Sequence, residues 1–106
     1  MGGNRDFRGE SGAVYRYLHL ENEGATPLGA GNFLYVRAER DRPVIVYAGE
    51  AERLTTAISE RWREAAEQHG ATHIFARRNV SSRTRQEELA DLVSAHAPVM
   101  NTADAG

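Results

Sequence analysis

The sequence predicts an α+β domain: a small antiparallel or mixed sheet of three or four strands flanked by two helices, in the order β-β-β-α-β-α. Three stretches carry that expectation. AVYRYLHL (13–20) alternates Val14, Arg16 and Leu18 against Tyr15, Tyr17 and His19, the period of two that marks a strand. PVIVYA (43–48) is β-branched and almost wholly apolar, as suits a central strand. From about Ala51 to His69, Leu54, Ala57, Ile58, Trp62 and Ala65 recur at spacings of three and four, which gives a helix one apolar face.

The other elements follow in chain order. Residues 1–11 hold almost no apolar side chains and read as a flexible leader. ENEGATPLGAGN (21–32) is a loop by its glycine and proline content. FLYVRAE (33–39) is the second strand, and Arg40-Asp41-Arg42-Pro43 turns the chain into the third. Gly49 lets the chain turn before the first helix, and Gly70 stands where that helix stops. THIFAR (72–77) is a fourth strand. Asn79-Val80-Ser81-Ser82 leads into the second helix, with Thr84 and Glu87 at capping-box spacing. Leu89, Leu92, Val93 and His96 mark its inner face, and Pro98 ends it. One domain over 12–101 is expected, followed by a disordered tail at 102–106.

A chain of 106 residues supports one core, and 41% apolar with 26% charged residues is ordinary globular composition. No apolar run approaches the roughly 20 residues of a membrane helix, and MGGNRDFRGE lacks the apolar core of a secretory signal. The simplest expectation is a cytoplasmic protein without a membrane partner. The absence of cysteine excludes disulfides, thiol chemistry and cysteine-held zinc. His69 and His73 are four apart, but Gly70 and an apparent strand separate them, so they do not form a helical metal pair.

A net charge of −2 argues against a protein that coats nucleic acid. All 13 basic residues are arginine, a bias that genome composition explains, although the guanidinium fork also suits phosphate. Arg77, Arg78, Arg83 and Arg85 cluster around the start of the last helix and are candidates for a local nucleic-acid contact. The competing reading is a solvated basic turn balanced by Glu87 and Glu88.

Ala13-Val14-Tyr15, then Tyr47-Ala48-Gly49 before a helix, then a late helix closed by Pro98-Val99-Met100-Asn101, together resemble the GIY-YIG nuclease superfamily. The likeness runs from Gly12 to Asn101. It implies a compact sheet whose two motif tyrosines face one groove and serve the nucleophile. It further implies an arginine on the first helix to steady phosphate, and a glutamate on a later helix to hold one Mg2+ or Mn2+ for phosphodiester cleavage. On that resemblance Tyr15 and Tyr47 are the tyrosines, Gly49 closes the second element, and Asn101 is the closing asparagine.

Departures accompany the match. Tyr15 and Tyr47 lie much farther apart than in the family, and an alternative alignment takes Tyr35 as the first tyrosine, with FLYVRAERDRPVIVYAG as the hairpin. Ala57 occupies the usual arginine position, with Arg53 and Arg61 one turn to either side. Leu89 occupies the glutamate position, and Glu88 next to it is rotated by roughly 100°. Two functions follow as expectations. One is a divergent, metal-dependent DNA endonuclease using Tyr15, Tyr47, Arg61 or Arg53, and Glu88. The other is a non-catalytic module of the same ancestry that binds nucleic acid or a protein. Strand 33–39, if at an edge, would offer a homodimer contact.

Overall fold

The computed structural model describes residues 3–40 and 42–105; Asp41 in the expected turn, and the outermost residues of the leader and tail, lie outside them. The domain is α+β. Five strands form one antiparallel sheet: β1 (Asn4–Arg8), β2 (Val14–Leu20), β3 (Gly31–Glu39), β4 (Arg42–Ala51) and β5 (His73–Arg78). Their spatial order is β1-β2-β5-β3-β4. Helices α1 (Leu54–Glu60) and α2 (Trp62–His69) join β4 to β5, and α3 (Ser82–His96) and α4 (Val99–Ala105) follow.

The sheet therefore has one strand more, and a different order, than the sequence suggests. The extra strand comes from the expected leader. Asn4–Arg8 pairs with β2 because Phe7 is buried and packs edge-on against Tyr17 and Phe75, at 5.8 and 5.3 Å between ring centres. A single phenylalanine among polar residues gives no periodic signal, yet it docks the strand. At the other end, the expected tail continues α4 to Ala105, with Met100 buried against the sheet. The strand at 33–39, which would offer a homodimer contact if it lay at an edge, is central, paired with β5 on one side and β4 on the other.

Alternation along the strands divides the core into two layers. Leu20, Phe33, Tyr35, Val46, Ile74 and Ala76 meet Leu54, Ile58, Ala65 and Met100 on the α1–α2–α4 side. Phe7, Tyr17, Leu34, Val36, Ile45, Ala48 and Phe75 meet Leu92 of α3 on the other. The register shift between Tyr35 and Val36 lets Val46 and Tyr47 both lie on the first side.

Three local readings change with the structure. The helix expected over 51–69 breaks at Arg61, whose φ of −122° and ψ of 11° separate α1 from α2. Gly49 lies inside β4 rather than in a turn, and a Cβ there would run into the Phe33 ring, its partner across the strands. The N-cap of α3 is Ser81, whose Oγ accepts from the Thr84 amide at 3.2 Å, while Glu87 pairs with Arg83 instead of closing a box. Gly70 does end α2, in the left-handed conformation at φ 72°.

Candidate functional site

On the α3 side of the sheet, Tyr15, Tyr17 and His19 of β2 lie beside His73, Phe75 and Arg77 of β5, since every second residue of a strand shares a face. Glu88 of α3 descends into this row and is only 2% exposed. Its Oε2 accepts from the Tyr17 hydroxyl at 2.5 Å, and its Oε1 accepts from Arg77 Nε at 3.1 Å and Asn79 Nδ2 at 3.4 Å. Burial raises the Glu88 carboxyl above its ordinary value, against the pull of Tyr17, Arg77 and Asn79. Burial and the adjacent Glu88 charge also push the Tyr17 phenol far up, so it remains a donor.

The network continues toward the end of β5. Asn32, itself buried, accepts from Asn79 Nδ2 at 3.1 Å and donates to the Arg85 carbonyl at 3.0 Å. Arg85 is buried as well. It donates from Nε to Glu50 at 2.8 Å and from its terminal nitrogen to the carbonyls of Asn79 and Val80. A buried charge with its Nε and one terminal nitrogen engaged in this way holds structure in place.

Tyr15 forms the outer rim. Its hydroxyl donates to Asp91 at 2.7 Å, and Arg77 lies 5.7 Å from its ring centre. Burial, then Asp91, pushes the phenol up to about 12. Asp91 also accepts from the Ser11 amide and hydroxyl at 2.8 and 2.7 Å, and these Ser11 bonds chiefly hold its carboxyl below the usual range.

Tyr47 lies elsewhere, on the opposite face and separated from β2 by two strands. The structure pairs it with Tyr35: the two are register partners, with ring centres 5.5 Å apart and planes at 30°. The Tyr35 hydroxyl donates to the Ile58 carbonyl at 2.7 Å. The Arg61 guanidinium sits 5.1 Å from the Tyr47 ring centre and is bound by Glu64 and Asp104, which raise its pKa further. Arg53 precedes α1 as an exposed N-cap, while Ala57 and Leu89 pack against the two cores. Asn101 accepts from the Ala48 amide at 2.8 Å and donates to the Ala48 carbonyl at 2.9 Å, so one side chain satisfies the outer edge of β4.

The structure thus brings Tyr35, Tyr47 and Arg61 together on one side and Tyr15, Arg77 and Glu88 together on the other. Of the basic cluster, Arg77 and Arg85 are drawn inward, Arg83 makes an exposed pair with Glu87, and Arg78 is exposed. Tyr17, Asn32, Glu50, Asn79 and Asp91 were not singled out by sequence; only Tyr17 left a trace, as the neighbour two residues from Tyr15. A Mg2+ or Mn2+ ion does not fit Glu88, since both carboxylate oxygens are taken and a guanidinium stands where the cation would sit. Among the described residues no three His, Asp or Glu side chains gather to hold a metal. No helix among them is long and apolar enough to cross a membrane. Comparison with protein-family models, curated proteins and solved structures gave no match to this chain.

Proposed function

We propose that the chain is a non-catalytic binding module related to the GIY-YIG nucleases. One observation carries this reading: the carboxylate beside the expected metal position, Glu88, is buried and already paired with Arg77, while Tyr17 and Asn79 also donate to it. Phosphoryl chemistry needs a cation or donor set aimed at developing charge, and a carboxylate consumed by internal partners supplies none. In this reading Tyr35, Tyr47 and Asn101 have become structural.

The partner we infer is a protein. Two of the four clustered arginines are used internally, which leaves too little basic surface to follow a phosphate backbone. At the same end of the sheet Leu28 and Val80 are 78% and 83% exposed, beside exposed Arg53 and Arg78. Loop and strand are tied there by bonds from Leu54 N to the Gly29 carbonyl and from Asn79 N to the Ala30 carbonyl. Apolar side chains rimmed by arginine suit a protein surface bearing acidic groups.

One observation favours the catalytic reading as a second choice: the stacked Tyr35–Tyr47 pair keeps an arginine, Arg61, over its outer ring. A single experiment separates the two. Single-stranded, branched and duplex DNA are incubated with Mg2+ or Mn2+ and the wild type, Tyr47→Phe or Glu88→Ala protein, with DNA binding followed by anisotropy at low salt. The proposal expects no cleavage and no saturable DNA binding. Metal-dependent cutting lost in both variants overturns it, and chelator-insensitive DNA binding overturns the choice of partner.

A further inference from the structure

Along the α3 side of β5 the row Arg77, Phe75, His73 runs from the buried network to the other end of the strand. There residues of β1, β3, β4 and β5, and none of the described helices, line a pocket of about 230 Å3. Its apolar lining is Val36, Ala38, Pro43 and Phe75, and its polar lining includes Arg5 of β1, Arg42 of β4 and His73 of β5. Arg40 and Glu39 complete the wall. Glu39 is bonded to Arg37 Nε at 2.8 Å, so its charge is already countered from outside the pocket. In a chain of net charge −2, three arginines around one apolar hollow make a local positive site.

The histidines fix what His73 offers. His19 Nε2 and His73 Nδ1 lie 3.2 Å apart, and His19 Nδ1 is buried without a partner. A buried orphan N–H is costlier than a buried lone pair, so His19 carries its proton on Nε2 and donates it to His73 Nδ1. Burial, with His19 beside it, holds His73 below its ordinary pKa and keeps the ring neutral. Its one N–H is then on Nε2, as a donor from a pocket wall flanked by guanidinium groups. We propose that this pocket is a binding site for a small organic anion, a carboxylate or phosphate on a compact apolar body. The anionic group meets Arg5, Arg42 and His73, and the body lies on Val36, Pro43 and Phe75.

This site is independent of the nuclease question, because it lies at the end of β3 and β5 opposite Arg78. The test is a titration of isotope-labelled protein with phenyl phosphate and with benzoate, followed by NMR at Val36, His73 and Phe75. Inorganic phosphate and uncharged benzyl alcohol serve as controls. Saturable shifts at these three residues are expected with at least one of the two aromatic anions, and weaker binding of both controls. Arg42→Gln and Arg5→Gln, exposed positions on different strands, should each weaken binding by about tenfold. The proposal is overturned if neither anion gives saturable shifts there, if either control binds as well as the better anion, or if neither arginine variant loses affinity.

Discussion

The Tyr17 hydroxyl lies 2.5 Å from Glu88 Oε2, the shortest link between the N-terminal hairpin and α3 in this polar network. It joins the second strand, β2, to α3, 71 residues later in the chain. The bond converts the carboxylate nearest the expected metal position into part of the core. The donor that occupies the acid thus comes from β2.

Tyr17→Phe should therefore cost about 1–3 kcal/mol, the penalty of leaving a buried carboxylate short of one donor. Tyr15→Phe should cost less, because Asp91 keeps both Ser11 bonds and its partial exposure to water. Urea denaturation of the two variants checks the order. Equal losses would mean that Glu88 does not depend on Tyr17.

Much of this arrangement was legible in the sequence as elements and little of it as contacts. Alternation located β2, and spacings of three and four located the apolar face of α1 and α2, because burial on one side leaves a periodic trace. Phe7 left none, since one buried ring suffices to dock β1. Pairing was legible only where it is local: the hairpin FLYVRAERDRPVIVYAG sets Tyr35 opposite Tyr47, whereas the entry of β5 between β2 and β3 is made by long-range packing. Arg85 reads as a surface cation in any window of sequence. Only the folded chain brings Glu50, 35 residues away, to its side.

Gly49→Ala should destabilise by about 1–3 kcal/mol through overpacking, because the new methyl meets the buried Phe33 ring. The same change in a Phe33→Leu background should cost clearly less, since the obstructing ring is gone. A double-mutant cycle measures the difference. A Gly49→Ala cost unchanged by Phe33→Leu would assign the glycine a backbone role instead.

The pH response should carry the mark of Asp91. Its carboxyl is held below the ordinary 3.8, chiefly by Ser11 and then by Tyr15. The folded state therefore binds this proton less tightly than the unfolded chain does. The stability it contributes is complete above the unfolded value and is lost as pH falls through the lower folded value. Denaturation midpoints measured from about pH 5 to pH 2 should fall less steeply in Asp91→Asn than in the wild type. Parallel acid limbs for the two proteins would remove Asp91 from the account.

Asn101 offers the sharpest test of a motif residue with a structural task. β4 is an edge strand, and the Asn101 side chain supplies the outward-facing amide and carbonyl of Ala48 with the partners a further strand would provide. Asn101→Ala removes both bonds at once, at an expected cost of about 1–3 kcal/mol. It also opens an edge backbone that can pair with another chain. Asn101→Asp keeps the acceptor for the Ala48 amide and sets a carboxylate against the Ala48 carbonyl, so it should be destabilised without regaining the second bond. Thermal unfolding measures the cost, and light scattering across a concentration series measures association, which should rise in Asn101→Ala above the wild type. A variant as stable and as monodisperse as the wild type would show that α4 covers this edge without help from the asparagine.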